Sequence, residues 1–487
     1  MVGKLDIVFV VSHTHIHSEF PPIYFLYLAG YLERNGFSCK IFNEPIADEN
    51  TYIENAIRFI LQEKPKCVSL SAFVTDYLCV LKIAKEIKSR THLPIIIGNA
   101  QPSISPEDFI FPGSPFDIAV IGEGEETVLD IVSGCPFEKI NGIVFLDTSG
   151  ATIHTPKRKL MDLKNIGTPA YHLVDMKRYI TPTKFMIRRL PTAGTTIYTG
   201  RGCPYRCGFC AANTVWNTND HTCNPIARHR PIETVITELE QLERGYNSDF
   251  FYILDDTFGL TKKDVIDFCD AYIASGLTML WACETRVTSP IFSNVTLLHL
   301  MKKAGCIQID FGVETGSEKL LETIGKDITI TQIVNAFMMC DAAGIRTYAN
   351  MLLNLPGETK MDLILNEQLI QKISPTYIGV GITQPYPGTR FYSELGYTIP
   401  KEEYCSLDRM ALSKEYRMAA HHISLQPLLL KYQYMWGCYS MVEWSLRKTD
   451  LRYWKKVLTS RWLLQYLYVV IRQCVINSMW EWWVMRG

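Results

Sequence analysis

Two successive series of short apolar segments, each alternating with amphipathic stretches, constrain the fold of this chain more than any other feature. In the first series the strand-like segments are Ile7–Val11, Cys39–Phe42, Cys67–Ser71, Ile95–Ile97 and Ile118–Ile121. They are rich in β-branched residues and lack polar alternation, which is typical of parallel strands buried on both faces, with the intervening helices as crossovers. We predict a doubly wound α/β sheet whose ligands bind beyond the carboxyl ends of its strands.

A second series begins at Thr195 and contains six strand-like segments that alternate with helical stretches. The segments are Thr195–Thr199, Phe250–Leu254, Met279–Ala282, Gln308–Phe311, Thr347–Leu352 and Tyr377–Ile382. Six βα units are too few for a complete eight-stranded barrel, so we predict a partial (β/α)6 TIM barrel, with its chemistry at the carboxyl ends of the strands. The predicted domains are residues 1–134, a connector with a hairpin at 135–190, the barrel at 191–400 and a helical C-terminal region at 401–487.

The overall charge and the cysteine usage bear on partners and compartment. The chain has 487 residues, with 49 Lys and Arg against 50 Asp and Glu, so no global field favours nucleic acid as a partner. Met1 leads into the first strand-like segment without an export signal. The 15 cysteines are scattered and odd in number, which is typical of thiols in a reducing cytoplasm.

One group of cysteines is clustered, in the segment Arg201-Gly-Cys203-Pro-Tyr-Arg-Cys207-Gly-Phe-Cys210. The C-x3-C-x2-C spacing brings three thiolates together from a single loop, one fewer than a closed zinc site or an ordinary ferredoxin cluster requires. A [4Fe-4S] cluster on three thiolates keeps one iron open for a substrate or cofactor. The alternatives are a zinc site completed by Cys223 or His221, and a group of inert thiols.

This loop, placed after the first barrel strand and carrying an aromatic residue before its last cysteine, resembles that of the radical S-adenosylmethionine (SAM) enzymes. The resemblance implies that Cys203, Cys207 and Cys210 bind a [4Fe-4S] cluster whose fourth iron is chelated by SAM. It also implies that Phe209 lies near the adenine, and that one electron from the cluster cleaves SAM to a 5′-deoxyadenosyl radical. An external electron donor of the flavodoxin or ferredoxin type is then expected.

Residues at the ends of the later barrel strands match the SAM-binding segments of the same family. On this resemblance we expect SAM contacts from Asp255, Asp256, Glu284, Arg286, Glu314, Gly316 and Glu358. An Asp-Asp-x-Phe form replaces the family's usual Gly-Gly-Glu as acceptor for the SAM amino group, and Arg286 is the candidate for the methionyl carboxylate. Structural alternatives stay open: Asp255 as a helix cap, a salt bridge between Glu284 and Arg286, and Glu358 as a charge at a helix N-terminus.

The α/β domain before the barrel is similar to the cobalamin (B12)-binding domain of one branch of this family, the class B methyltransferase-like enzymes. The resemblance implies a Rossmann-like fold with cobalamin contacts from Ser69, Ser71, Gly98, Asn99, Gly122, Glu123 and Gly124. Glycines allow the backbone to approach a bulky corrin, and hydroxyls can bond its amides. Gly98-Asn99-Ala100-Gln101 replaces the branch's Gly-Gly-x-His, and Asn99 tolerates the positive φ angle of such a loop. The alternative is a module of this fold without cobalamin.

Two further features lie outside the resemblance. The C-terminal region holds seven of the nine tryptophans, with nine basic against three acidic residues from Leu430 onward. We favour a helical lid whose aromatic residues pack against the barrel, and the alternative is an interfacial helix that contacts a membrane or a lipid-like substrate. His13, His15 and His17 follow the first strand, and we favour a solvated loop there over a metal site.

The resemblance covers residues 5–395 and implies a cobalamin-dependent radical SAM enzyme, with methylation of an unactivated carbon as the favoured reaction. SAM would then act twice, as the radical source and as the methyl donor to cobalt. The alternatives are a radical cyclase or rearrangement enzyme that does not methylate, and a metal-binding protein without turnover. We expect a small-molecule or lipid-like substrate, whose identity no motif gives.

Overall fold

The computed structural model describes residues 5–471 apart from 16–17, 19, 183, 188–189, 217–226, 409–415 and 438–449. The described strands are β1 (Ile7–Val10), β2 (Cys39–Phe42), β3 (Cys67–Ser71), β4 (Ile95–Gly98), β5 (Ile118–Val120), β6 (Ile143–Leu146), β7 (Thr152–His154), β8 (Lys184–Ile187), β9 (Leu190–Thr192), β10 (Gly194–Ile197), β11 (Gly200–Arg201), β12 (Arg228–His229), β13 (Phe250–Ile253), β14 (Leu280–Thr285), β15 (Cys306–Glu314), β16 (Arg346–Leu353) and β17 (Tyr377–Ile382). The described α-helices are α1 (Ile23–Arg34), α2 (Glu49–Glu63), α3 (Tyr77–Arg90), α4 (Ala100–Ile104), α5 (Glu125–Val132), α6 (Lys177–Ile180), α7 (Ala212–Trp216), α8 (Ile232–Glu240), α9 (Lys262–Ala274), α10 (Val295–Lys303), α11 (Glu318–Thr323), α12 (Ile330–Ala343), α13 (Lys360–Ile373), α14 (Arg390–Ser393), α15 (Leu425–Gly437) and α16 (Leu451–Thr459).

Many of these helices begin at a side chain that caps the first turn. Thr261, Thr329 and Thr359 each accept a hydrogen bond from the backbone N–H three residues later, at the starts of α9, α12 and α13. In each case the residue at that third position bonds back to the N–H of the threonine, which completes a capping box. Local sequence therefore decides where the helices after the barrel strands begin.

The chain forms two compact units in space. The first contains Met1–Asp175, Gly202–Arg228 and Gln384–Lys414, and the second contains Met176–Arg201, His229–Thr383 and Glu415–Gly487. The cysteine loop thus packs with the N-terminal sheet, although it follows a barrel strand in the sequence. The domain boundaries drawn along the sequence stay a prediction.

The first unit is built on a seven-stranded sheet in the order β2-β1-β3-β4-β5-β6-β7. Strands β1 to β5 are parallel, and helices α1 to α5 alternate with them along the chain, so the predicted doubly wound fold is confirmed. Strand order reverses between β1 and β3, which is where such sheets open a crevice for ligands. The predicted hairpin is also present, as β6 and β7, but it extends this sheet antiparallel to β5 instead of standing apart as a connector.

The second unit is built on a six-stranded parallel sheet in the order β10-β13-β14-β15-β16-β17. Each strand pairs with the next along the chain, as the predicted partial (β/α)6 barrel requires. All nine residues of β15 are buried, so the middle of the sheet is covered on both faces. The fold class read from the two apolar series is confirmed.

Within the second unit, residues 450–471 of the tryptophan-rich tail pack at the amino ends of the barrel strands. Tyr453 and Tyr466 are fully buried. Tyr453 donates to the Pro191 carbonyl at 3.0 Å, and the Tyr466 hydroxyl accepts from the Ala193 N–H at 2.7 Å, just before β10. The lid interpretation is confirmed for these residues, and the lid lies at the edge opposite the strand ends where chemistry is expected.

The same tail also presents apolar side chains to solvent. Leu464, Tyr468 and Ile471 are 78%, 62% and 62% exposed, on the face opposite the buried Tyr466. Within the described residues no helix combines the length and the apolar character needed to cross a membrane. Contact of this face with a membrane surface stays a prediction.

Candidate cofactor sites

The three clustered cysteines are accessible thiols on one loop. Cys203 and Cys207 are half-buried, Cys210 is exposed, and none of the three forms a disulfide. The Cys210 N–H donates to the Cys207 carbonyl at 3.0 Å, so a tight turn joins the last two cysteines. No three His, Cys, Asp or Glu side chains among the described residues meet in metal-binding geometry, so the cluster assignment depends on the number and spacing of these thiols. The alternative zinc ligands, Cys223 and His221, lie outside the described residues.

The cysteine loop is held by the segment that follows the last barrel strand. The Phe391 N–H donates to the Gly208 carbonyl at 3.2 Å, and the Phe209 and Phe391 rings lie 6.5 Å apart. A Cβ on Gly208 would lie 2.6 Å from Nη2 of Arg390 and 2.7 Å from the Phe391 ring. Gly208 therefore permits this close packing, and Arg390 and Phe391 are contacts that the motif analysis missed.

The carboxylates after β13 have two different environments. Asp255 is buried, and its carboxylate accepts from the Thr199 N–H at 2.6 Å, from the Gly200 N–H at 3.1 Å and from the Thr199 hydroxyl. Burial raises the pKa of Asp255 to about 7, although the Thr199 and Gly200 donors oppose the shift. Asp255 does not cap α9, because Thr261 does. Asp256 is the exposed carboxylate at this strand end.

The end of β14 places an acid and a cation close together in the sequence. Glu284 is exposed, whereas Arg286 is 6% exposed. Phe258 bonds to this strand twice, since its N–H donates to the Glu284 carbonyl at 2.9 Å and its carbonyl accepts from the Thr285 hydroxyl at 2.6 Å. The loop after β13, which carries the paired aspartates, is therefore fixed to the end of β14.

Glu314 ends β15 with a positive φ of 66°. Its carboxylate forms a buried ion pair with Lys326 at 2.6 Å, with both side chains 7% exposed. The negative charge of Glu314, which was expected to accept hydrogen bonds from SAM, is thus already neutralised by Lys326. Lys326 belongs to no recognised motif and lies 12 residues after Glu314, so the sequence does not indicate that the two side chains pair.

Gly316 is required by helix packing. Its N–H donates to Oδ1 of Asn366 at 2.5 Å, and a Cβ at this position would collide with the Leu365 carbonyl and lie 3.0 Å from the Asn366 N–H. The absence of a side chain at Gly316 therefore allows the backbone of α13 to pack closely against this position.

Glu358 is fully buried in the loop after β16. Its Oε2 accepts from the Asn354 N–H at 2.9 Å and lies 3.1 Å from Nε2 of the buried His421. Burial raises the pKa of Glu358 to about 8. The N-cap of α13 is Thr359. Glu358 thus fixes the returning segment around His421 to the carboxyl edge of the sheet.

The predicted cobalamin contacts of the first unit lie at the carboxyl ends of β3, β4 and β5. Ser69 and Ser71 are buried in β3, and Oγ of Ser71 accepts from Nδ2 of Asn99 at 2.8 Å. Asn99 has a φ of 84°, so it adopts the positive φ angle that an asparagine was expected to tolerate at this position. A Cβ on Gly98 would meet only Val120, at 3.7 Å. This strand end therefore keeps space above its backbone.

Gln101, at the position of the family histidine, is turned into the protein. It is 1% exposed, and its Nε2 donates to Asp108 at 3.0 Å. Asp108 also accepts from the Tyr404 hydroxyl at 3.3 Å and pairs with Lys401 at 3.0 Å. The substitution thus replaces an imidazole by an amide within a structural network.

The turn after β5 is fixed on both sides. The Gly122 N–H donates to the Ser103 hydroxyl at 2.9 Å, and Gly124 directly precedes α5. Both carboxylate oxygens of Glu123 accept from the Arg228 guanidinium, at 2.9 and 3.1 Å. The carboxylate expected to contact cobalamin is therefore occupied by Arg228, a residue that the motif analysis did not single out.

The histidines after β1 bond to the protein. Nε2 of His13 lies 3.0 Å from the Ile46 carbonyl, and Nε2 of His15 lies 2.9 Å from the buried Asp76. His17 lies outside the described residues. The described histidines therefore make structural contacts, where the sequence favoured a solvated loop.

Two family models match this chain. The radical SAM superfamily model matches residues 197–366, and the B12-binding domain model matches residues 11–132. Together they span the carboxyl-edge residues described above in both units. The fold and the cysteine loop define a radical SAM enzyme.

Curated relatives match most of the length of this chain. An uncharacterised methyltransferase of Pyrococcus horikoshii is 27% identical over 408 residues, which are 81% of this chain and 84% of that protein. The anaerobic magnesium-protoporphyrin IX monomethyl ester cyclase of Rubrivivax gelatinosus is 26% identical over 391 residues, 78% of this chain and 67% of that enzyme. The chain therefore contains a radical SAM domain and a B12-binding domain, and its cofactors are a [4Fe-4S] cluster, SAM and cobalamin.

Solved structures show the same fold. The radical SAM methyltransferase TsrM from Kitasatospora setae superposes with a TM-score of 0.62 at 18% identity, covering 81% of this chain and 77% of that one. The cobalamin-dependent SAM radical enzyme OxsB gives a TM-score of 0.65 at 19% identity, covering 89% of this chain and 61% of that one. At these identities the likeness concerns the fold alone.

Proposed function

We propose that this enzyme methylates an unactivated carbon of a small molecule with cobalamin as the methyl carrier. One observation carries the proposal: the first compact unit contains both the cysteine loop and the carboxyl edge of a B12-type sheet. Relatives named as methyltransferases support it, including a cytidylyl-2-hydroxyethylphosphonate methyltransferase of Streptomyces wedmorensis that is 21% identical over 385 residues. The substrate itself is left open.

The residues present fit the cofactors. Three cysteines on one loop, none of them in a disulfide, match a [4Fe-4S] cluster with one iron left for SAM, whereas a structural zinc ion takes four protein ligands. At the B12-type edge, Gly98 leaves room for a large ring to approach the backbone. When bound, the cluster and SAM supply a 5′-deoxyadenosyl radical, and cobalamin supplies the methyl group.

The side chains of this chain have distinct proposed roles. Cys203, Cys207 and Cys210 bind the cluster. Phe209, Asp256, Glu284 and Arg286 contact SAM, with the buried guanidinium of Arg286 paired to the methionyl carboxylate. Asp255, Glu314, Gly316 and Glu358 hold the strand-end loops through hydrogen bonds within the protein.

At the cobalamin edge the proposed contacts are the backbone at Gly98, Asn99, Gly122 and Gly124 and the hydroxyls of Ser69 and Ser71. Hydroxyl and amide groups at this edge suit the amide-bearing rim of a corrin. Glu123 acts one step away, through its ion pair. An external electron donor is required by a radical SAM enzyme, and we propose a flavodoxin- or ferredoxin-type protein in the cytoplasm.

A second candidate is a radical cyclase that forms a carbon–carbon bond without methylation. The cyclase of Rubrivivax gelatinosus favours it, because its identity to this chain is close to that of the methyltransferase relative. Methylation of cobalamin by SAM distinguishes the methyltransferase from the cyclase, since only the methyltransferase must form methylcobalamin to carry the methyl group to its substrate.

The test is anaerobic purification with cobalamin supplied, followed by visible spectroscopy for corrin and for the iron–sulfur cluster. We expect about four irons per chain, bound corrin, reductive cleavage of SAM to 5′-deoxyadenosine, and methylcobalamin in the presence of SAM and a strong reductant. Cys203→Ala should abolish SAM cleavage and keep the corrin. A wild-type spectrum with cluster but no corrin would overturn the methyltransferase proposal, and SAM cleavage that survives Cys203→Ala would overturn the cluster assignment.

A further inference from the structure

Glu123 and Arg228 form a part-buried ion pair that no motif predicts. Nη1 and Nη2 of Arg228 donate to Oε2 and Oε1 of Glu123 at 3.1 and 2.9 Å, and the two side chains are 18% and 5% exposed. Nη1 also donates to the Met161 carbonyl at 2.6 Å, while Oε2 accepts from the Met161 N–H at 2.8 Å. All four groups belong to the first unit. A bidentate pair of this kind fixes orientation as well as charge.

The pair controls the turn after β5. Gly122 has a φ of 76°, α5 begins at Glu125, and Glu123 is the only residue of the turn with a long side chain. Through that side chain Arg228 and Met161 fix the outer side of the turn. The Ser103 hydroxyl fixes its inner side by accepting from the Gly122 N–H.

This turn is the end of a chain of hydrogen bonds along the carboxyl edge of the sheet. Ser71 accepts from the Asn99 amide at 2.8 Å, the Ser103 hydroxyl donates to the Asn99 carbonyl at 2.7 Å, and Gly122 donates to Ser103. The proposed cobalamin contacts after β3, β4 and β5 are thus linked in one series. Arg228, bonded to Glu123, is the residue at which this series ends.

We propose that Arg228 is a positioning residue for cobalamin, which holds the Gly122–Gly124 turn in its receptive shape through Glu123. This inference rests on the proposed function. Removing the guanidinium leaves a buried carboxylate without its counter-ion, which is strongly unfavourable, so the turn moves Glu123 toward water. The backbone of Gly122 and Gly124 then leaves the edge, and the other contacts in the series lose their end support.

The test is a titration of the anaerobically purified apoprotein with hydroxocobalamin, followed by absorbance. Arg228→Gln is expected to raise the dissociation constant for cobalamin about tenfold or more, which corresponds to about 1.4 kcal/mol. Arg228→Lys, which keeps the charge but not the bidentate geometry, is expected to lie between Arg228→Gln and wild type. Iron and sulfide content after reconstitution should stay at the wild-type level in both variants.

Arg158→Gln is the matched control. Arg158 is also 18% exposed, belongs to the same unit, and pairs with Asp130 and Glu126 on α5. Its partners are 36% exposed, so its loss removes an ion pair from the same unit at a smaller cost in stability, and the cobalamin affinity should stay within about twofold of wild type. If Arg158→Gln weakens cobalamin as much as Arg228→Gln, general destabilisation explains the loss and the inference is overturned.

The double variant Glu123→Gln/Arg228→Gln tests whether Arg228 acts through Glu123. Because the double variant buries no unpaired charge, it can be used to test the inference even if Arg228→Gln does not fold. Affinity no weaker than that of Glu123→Gln alone supports the positioning role, whereas fully additive losses contradict it. A wild-type dissociation constant in Arg228→Gln overturns this inference only, and failure of the wild-type protein to bind cobalamin overturns the proposed function together with it.

Discussion

Replacing Tyr466 by Phe tests whether the tail is part of the folded barrel unit. Tyr466 is fully buried, and its hydroxyl accepts from the Ala193 N–H at 2.7 Å and lies 3.4 Å from Oδ2 of Asp249. The ring can stay in place, so the variant removes only these polar contacts. It leaves a buried N–H without its acceptor, and such a group costs about 1–3 kcal/mol.

The expected loss can be measured as a melting temperature of the apoprotein under anaerobic, reducing conditions. For a unit of this size a loss of about 2 kcal/mol lowers Tm by roughly 4–8 °C. Tyr468→Phe is the matched control, because Tyr468 lies two residues later in the helical segment 463–471 and is 62% exposed. It should melt within about 1–2 °C of wild type.

Two results would refute this reasoning. The first is a Tyr466→Phe variant that melts like wild type, which would mean that the tail does not pack on Ala193 in solution. The second is an equal loss in Tyr468→Phe, which would mean that the outward face of the tail is the one that is buried. Reductive SAM cleavage at a temperature well below both transitions should not change, because the lid lies at the amino ends of the strands.

Three further predictions concern the strand-end loops. Gly316→Ala should lower the free energy of unfolding by about 2 kcal/mol or more, because the new Cβ collides with the Leu365 carbonyl. The control in urea unfolding is Gly245→Ala, where the atom nearest to a new Cβ is 4.0 Å away. Similar losses of stability in the two variants would contradict the prediction. Burial raises the pKa of Asp255 to about 7, so the folded protein holds a proton that the unfolded chain releases above its usual pKa of 3.8. The contribution of Asp255 to the free energy of unfolding should therefore fall between about pH 4 and 7 and stay constant above pH 7, while Glu358, whose pKa burial raises to about 8, makes the total fall further up to about pH 8. Asp255→Asn should flatten this slope in urea titrations, and an unchanged slope would show that another group causes it. Gly208→Ala should reduce the iron bound per chain on reconstitution, because the new Cβ displaces Phe391 from the cysteine loop; wild-type iron content would argue against that contact.

The sequence determined the secondary structure and the fold class, because both depend on local periodicity. The predicted strand Cys67–Ser71 and the predicted strand Tyr377–Ile382 coincide with β3 and β17. A run of apolar β-branched residues favours a buried strand, and a Thr-x-x-Asp segment before an amphipathic stretch favours the start of a helix. Local sequence also explains two predictions about loops. The C-x3-C-x2-C spacing brings three thiols together on one loop, and an asparagine tolerates the positive φ angle that Asn99 has.

The sequence did not determine which side chains meet. Arg228 lies 105 residues from Glu123 and takes the carboxylate assigned to cobalamin, and His421 lies 63 residues from Glu358. Gly316 serves the backbone of α13, which is 50 residues away at Asn366. Spacing along the chain carries no information on such pairs, because they depend on how the loops after different strands converge at one edge of a sheet.

The tertiary structure also decided the placement of whole segments. The cysteine loop follows a barrel strand in the sequence but packs within the first unit, since Gly208 bonds to Phe391 and Thr214 bonds to the Gly388 carbonyl at 2.7 Å. The aromatic tail was expected to cover the barrel, but only its contacts with Pro191 and Ala193 show which end it covers. The sequence by itself determined the elements and the cysteine chemistry. Packing between residues distant in the chain decided which polar groups remain available to cofactors, because a buried carboxylate must be paired by whichever donor the fold brings to it.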